Sequence, residues 1–341
     1  MKKILHRYFV DAMGAMALGL FASLLIGTIF NTVGTYAGWQ WLCDLAKICQ
    51  QAAGMAIGVA IAYSLKADPL VVMCCAAVGS AGYSLGTAVN GAEGLIQYTA
   101  GPAGAFVAAV AASEVGMLVS KKTKVDILVT PIVTILVGYA VARLCCPGIA
   151  WAMYWLGHFI NTATTLHPFL MGIVVSVVVG IILTLPISSA AICAMIGITG
   201  LAGGAATAGC CAQMVGFAVI SFRENRWGGL IAQGLGTSML QMGNILKKPV
   251  IWLPPTLAAA VTGPLATMVF KLECTGVSAG MGTCGLVGPL GVIAATQHSP
   301  MMWIGLVLIC VVLPGILAFA FNELFRRIGW VKNGDMKLEL N

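Results

Sequence analysis

The chain is 341 residues long, 60% hydrophobic and only 9% charged, with a mean hydropathy of +0.97. That composition excludes an ordinary soluble domain and leaves a polytopic membrane protein. A net charge of +7 would suit a polyanion, but Lys and Arg cluster between apolar blocks, so they read as membrane-orienting and no nucleic-acid partner is expected.

The N-terminal MKKILHRYFV is basic and leads into an apolar run from Met13 to Phe30. The run is long and no cleavage site follows it, so it is a retained first transmembrane helix rather than a secretory signal. Spanning helices are expected at 13–31, 48–65, 69–89, 102–120, 127–144, 168–187, 250–270 and 301–321, each near the roughly 20 residues that cross a ~30 Å hydrocarbon core. Two further segments, 188–220 and 229–246, read as re-entrant: each enters and leaves on one side. With the N-terminus inside, Lys66, Lys121, Lys122, Lys124, the joint Ser221–Arg226 (SFRENR), Lys247, Lys248 and the tail residues Arg326, Arg327, Lys332 and Lys337 are then all cytoplasmic. Of the 18 basic residues only Lys47, Arg143 and Lys271 fall outside. Ten simple crossings is the alternative, and it places SFRENR outside. The expected fold class is an all-α polytopic membrane protein with about eight to ten transmembrane helices and re-entrant glycine-rich hairpins, forming a single transport domain over residues 1–341.

Three stretches are too rich in glycine for stable isolated helices: Ser80–Gly104, Pro186–Gly216 and Leu272–Gly291. Irregular backbone at membrane depth survives only where protein or a water-filled cavity covers it, so these are expected to be interior breaks. Such breaks supply free amides to a solute in transporters; the competing explanation is close packing of helices through small residues. Between Gly228 and Pro249, Gln233, Thr237, Gln241 and Asn244 fall at i, i+4, i+8 and i+11, one face if the segment is a helix. Neutral amides both donate and accept, as sugar hydroxyls require.

Ionisable residues in apolar surroundings are few. Glu114 lies near the basic loop and is expected to pair with Lys121 or Lys122. Glu93 and Glu273 stand beside glycine-rich chain, where a carboxylate could bind hydroxyls or a proton. His158, His167 and His298 read as loop or interfacial residues. The 12 cysteines include three adjacent pairs, which point apart on a helix, so neither a disulfide framework nor a metal site is expected. No cofactor motif and no catalytic constellation is present, so the chain reads as a transporter rather than an enzyme.

The run GLIAQGLGTSMLQMGNILKKPVIWLPPTLAAAVTGPLATMVFKL, preceded by TAGCCAQMVGFAVISFREN and followed by SAGMGTCGLVG, resembles the IIC-type membrane family of the bacterial phosphoenolpyruvate-dependent sugar phosphotransferase system, in its short stand-alone branch. The resemblance is strong over about residues 180–295. It implies a homodimeric permease of the bacterial inner membrane, with cytoplasmic termini, re-entrant hairpins and no soluble IIA or IIB domain, so that phosphorylation would come from a IIB-type phosphocarrier in trans. Glucose-type members carry a Gly-Ile-Thr-Glu motif whose carboxylate helps hold sugar; here Gly197-Ile198-Thr199 is followed by Gly200.

The expected function is passage of a small polar solute, a sugar or sugar-like compound. An uncoupled or proton-coupled carrier of a non-sugar or amphiphilic solute, and a non-transporting sensor or scaffold, are the alternatives. The substrate-binding residues are expected to be Gln241, Asn244, Thr237, Gln213, Glu273, Thr275, Ser278 and Glu93, gathered where the glycine-rich stretches meet the amide row.

Overall fold

The computed structural model describes residues 7–91, 94–164 and 166–338. The chain is almost entirely helical and divides into two compact units, Met1–Trp155 and Leu156–Asn341. By length and composition six helices among the described residues can cross a membrane: α1 (Met13–Thr35), α5 (Gly101–Val119), α6 (Asp126–Ala163), α9 (Gly200–Ile220), α12 (Pro249–Val269) and α14 (Pro300–Arg327). A seventh span forms if α2 (Gln40–Gln51) and α3 (Ala53–Ser64), bent by 48°, count as one. The apolar helices α4 (Pro69–Ser84) and α7 (Pro168–Thr184) are shorter, at 16 and 17 residues.

In the first unit consecutive helices run up and down, held by small-residue contacts. A Cβ on Gly58 of α3 would lie 2.0 Å from the Cys75 carbonyl of α4, and one on Gly82 would lie 2.6 Å from the Gly104 carbonyl of α5. Backbones this close leave no room for a side chain, and the dispersion contacts of two touching helices replace it. One end gathers the charges. Arg7 pairs with Glu114 at 2.8 Å and also donates to the Leu65 carbonyl, while Lys121 pairs with Asp68 and holds its carboxyl below the usual carboxylate range. Glu114 thus finds Arg7 rather than Lys121 or Lys122, because the antiparallel helices bring the N-terminus alongside α5.

At the opposite end the expected helix over 69–89 stops at Ser84. Leu85 is extended, and the chain forms an antiparallel hairpin, β1 (Gly86–Gly91) with β2 (Gly94–Thr99), in register Gly86 with Thr99 through Gly91 with Gly94. Helix is poor for a run this rich in glycine, and mutual strand pairing satisfies the same backbone groups.

The second unit is organised around α9. Ser176 and Gly180 of α7 meet Gly209, and Thr184 reaches Gln213, so α7 and α9 run parallel although they are neighbours in sequence. Residues 185–199, with the short α8 (Ser189–Met195), must therefore travel back along α9 by about 20 Å, some 13 residues at 1.5 Å each. The re-entrant piece is this return, and α9 itself is a full-length helix; the expected re-entrant segment 188–220 is corrected accordingly. Helix α12 is antiparallel to both: Ser176 Oγ donates to the Ala259 carbonyl at 2.8 Å and Thr267 Oγ1 to the Pro168 carbonyl at 3.0 Å. Helix α14 packs parallel to α9: Gly315 lies beside Val215 and Val219, and Glu323 further on pairs with Arg223, just past the end of α9.

The segment 229–247 leaves and returns at one end of this unit. There α10 (Phe222–Ile231) meets the end of α14 through Arg223–Glu323 at 2.9 Å and Glu224–Arg326 at 3.1 Å, and Lys248, just past α11 (Met242–Lys247), meets the C-terminal tail through Asp335 at 2.6 Å. SFRENR, Lys248 and the tail therefore share one end, which the ten-crossing alternative forbids. Single cysteines at Arg226 and at Lys332, on a cysteine-free background, should label alike with an impermeant maleimide, neither reacting from outside intact cells. Labelling of one position from outside and the other only from inside would overturn the arrangement.

Candidate functional site

Helix α9 is wrapped so completely that an amide in its middle has no water to turn to. Gln213 is fully buried, and its hydrogen bonds come from two other helices, α7 and α12. Its Oε1 accepts from Trp252 Nε1 at 3.1 Å and from Thr184 Oγ1 at 3.4 Å, and its Nε2 donates to Thr256 Oγ1 at 3.1 Å. Thr184 Oγ1 lies 2.8 Å from Ser238 Oγ, at the tip of the 229–247 hairpin. A buried amide without partners would cost on the order of 1–3 kcal/mol, so the cluster fixes the end of α7, the hairpin tip and the start of α12 against α9. Trp252 and Thr256 are partly exposed, so the cluster is not sealed. Of these residues only Gln213 stands out in the sequence; lone hydroxyls such as Thr184, Ser238 and Thr256, and a tryptophan such as Trp252, are common in membrane chains.

At one end of α9, Lys271, with a left-handed φ of 48°, turns the chain out of helix, and Leu272–Thr275 continues without helix. Leu272 and Cys274 are buried while Glu273 and Thr275 are exposed, the alternation of a strand. Cys274 N–H donates to the Gly200 carbonyl at 3.2 Å and Gly276 N–H to the Ile198 carbonyl at 2.8 Å. Thr296 Oγ1 accepts from Glu273 N–H at 2.9 Å and donates to the Glu273 carbonyl at 3.0 Å. The segment lies directly on α9: a Cβ on Gly204 would come within 1.9 Å of the Leu272 carbonyl oxygen. Ser278 is half-buried against Gly291. Further along, Ser189 Oγ donates to the Gly280 carbonyl at 2.7 Å and Thr283 Oγ1 to the Gly234 carbonyl at 2.5 Å, so the glycine-rich stretch does touch both the return and the hairpin.

At the other end lies the amide row, and it is not one helix face. Ala232–Gly236 is a wide turn, Thr237 is extended with φ −159°, Ser238–Gln241 is a tight turn, and only then does α11 begin. Thr237 Oγ1 accepts from Met239 N–H at 3.1 Å, a local cap that bends the chain. The bend still brings the amides together. Gln233 Nε2 donates to Ser221 Oγ at 2.8 Å, Gln241 Nε2 to Gln233 Oε1 at 3.0 Å, and Asn244 Nδ2 to Gln241 Oε1 at 2.8 Å.

The expected site residues are thus spread along α9. Glu273 and Thr275 stand level with its start, Gln213 lies within it, and Gln241 and Asn244 lie past its end. From Gly204 to Ser221 is 17 residues, or about 25 Å of helix, so the structure does not bring Glu273 and Thr275 to Gln241 and Asn244. Glu93 lies outside the described residues. Among those described, no group of three or more His, Cys, Asp or Glu could hold a metal ion, and no two cysteines are bonded.

The sequence family described as "Phosphotransferase system, EIIC" matches residues 10–338, nearly the whole chain. No curated protein and no solved structure gives a match.

Seating of the 271–275 strand on α9 depends on the absent side chain at Gly204. Gly204→Ala should lower stability by about 1–3 kcal/mol through overpacking. Gly228→Ala, with nothing within 4 Å of the added carbon, should not. Thermal melts of the two purified variants test this, and equal melts would show that the strand is not seated there.

Proposed function

The chain belongs to the EIIC family of the phosphotransferase system, and we propose that it is the solute-translocating subunit of a sugar permease. Membership makes it a membrane component of solute transport. The finer reading places it in the bacterial inner membrane with both termini in the cytoplasm, working as a homodimer. Its solute is a sugar or sugar-like compound, phosphorylated in trans by a separate IIB-type phosphocarrier, and it needs no cofactor of its own.

The observation that carries this reading is the Gln213 cluster. The end of α7 and the start of α12 bond a buried amide, and the tip of the irregular 229–247 hairpin bonds its partner Thr184; irregular chain and a buried amide are each costly unless a shared polar site offsets them. A sugar hydroxyl both donates and accepts, so it can exchange with Thr184, Ser238 or Thr256 around Gln213 without leaving a polar group unpaired. Glu273, Thr275 and Ser278 form the approach from one end, and Gln241, Asn244 and Thr237 the approach from the other. Support for the homodimer comes from α6, whose Ile127, Leu128, Leu136 and Leu144 are exposed and suit either lipid or a second copy.

The exposed carboxylate of Glu273 favours a second reading, a proton-coupled carrier. The glucose-type motif has its carboxylate where this chain has Gly200, and the strand bonded to Gly200 presents Glu273 instead. In the sugar reading that carboxylate accepts from hydroxyls; in the other it carries a proton.

Mass spectrometry of what copurifies should identify the solute, and proteoliposomes then test its passage. Gln213→Ala should weaken solute binding by on the order of 1–3 kcal/mol, roughly 5- to 150-fold in affinity, while the protein still folds. Glu273→Gln separates the two roles: loss of binding at every pH marks direct contact, whereas binding kept with the pH dependence of flux lost marks proton coupling. Appearance of phosphorylated solute only when a phosphorylated IIB protein is added supports the coupled reading. Wild-type binding by both variants would place the site elsewhere.

A further inference from the structure

The C-terminal tail is held as a bound peptide would be. Beyond α14 the chain turns at Gly329, and Val331 and Met336 bury their side chains with Phe217, Ile220, Ile245, Ile251 and Phe325. The backbone between 335 and 338 then crosses side chains from two other elements. Met336 N–H donates to Glu224 Oε2 at 2.8 Å, and its carbonyl accepts from Asn225 Nδ2 at 2.8 Å and Gln241 Nε2 at 3.0 Å. Leu338 N–H donates to Asn225 Oδ1 at 2.8 Å, and the Lys337 carbonyl accepts from Asn244 Nδ2 at 2.9 Å. Asn225 thus grips the peptide on both sides of residue 337, as amide side chains do when they hold an extended segment by its backbone. Lys248 pairs with Asp335; although burial pushes that carboxyl up, Lys248 and the Lys332 N–H hold it below the usual carboxylate range.

Two consequences follow from counting bonds. Gln241 Nε2 has both protons engaged, so the amide can donate to a solute only when the Met336 carbonyl leaves. The segment that carries Gln241 also carries Ser238, which touches Thr184 in the Gln213 cluster. Anchoring one limb of that hairpin therefore restrains its tip. Because the tail is tethered to α14, its effective local concentration is on the order of millimolar, enough for a few weak bonds to close it and few enough for it to open.

We infer that residues 331–338 are a latch: bound, they hold the 229–247 hairpin still and occupy one donor of the Gln241 amide; released, they free both. The effect on transport rests on the permease reading, but the latch itself does not.

Hydrogen exchange on the full chain in nanodiscs tests the latch without a known solute. Asn225→Ala and Lys248→Gln keep the apolar anchors Val331 and Met336, so they should fold, and truncation after Trp330 gives the limiting case. In each, amides of 229–247 should exchange about tenfold faster or more while those of α9 and α12 keep wild-type protection. Unchanged protection of 229–247, or faster exchange throughout the unit, would overturn the inference. A disulfide between Asn225→Cys and Leu338→Cys, on a cysteine-free background, should stop efflux from proteoliposomes preloaded with a hexose and hexitol mixture, and reductant should restore it. Flux that continues through the locked form counts against the latch. Absence of flux in wild type under every condition counts against the permease reading and leaves the exchange result standing.

Discussion

The second unit depends on how closely other backbone approaches α9. Gly203, Gly204 and Gly209 lie within reach of the carbonyls of Cys274, Leu272 and Ser176, at distances where any Cβ would overlap them. Because those positions are bare, the 271–275 strand lies on one stretch of the helix and α7 on another. The strand's amides can then bond to Ile198 and Gly200, chain that would otherwise be unpaired. Lipid could not satisfy those groups, so without the glycines neither the return over 185–199 nor the strand could be kept at membrane depth.

That packing has a consequence for polarity. A helix covered on all sides excludes water, so a polar side chain on it must find protein partners, and Gln213 finds three of them on α7 and α12. The same rule governs the charged end. Glu224 and Arg326 are nearly buried, and their pairing ties α10 to α14; removing either partner would strand the other charge. Around this pair the amides spend their hydrogen bonds on the chain's own tail. The molecule therefore holds polar chemistry at three heights along one helix, joined by apolar packing.

The amide row shows how sequence spacing can mislead about form while still pointing to proximity. Residues at i, i+4, i+8 and i+11 suggested a continuous helix face, yet Thr237 turns the chain out of helix after a wide turn. Gln233 and Gln241 meet across that bend at 3.0 Å. The hairpin over 86–99 is a second case: its glycines announced a break in α4, but only pairing with the following strand decided that the break became β structure.

Composition and hydropathy by themselves determined that the chain is an all-α polytopic membrane protein, since blocks of apolar residues with charges at their ends have few other solutions in lipid. Glycine content marked where helices are weak rather than where they fail, since Gly200–Gly216 stays helical within α9, where packing on every side supports it. Which failures became a return, a strand or a hairpin was decided by tertiary contact, as was the partner of each buried polar group. The parallel run of α7 and α9 depends on Gly180 and Gly209 meeting across 29 residues of sequence, and Gln241 is taken up by a carbonyl 95 residues away. Local propensity reads each residue against its neighbours, and these bonds exist only once the chain has folded back on itself.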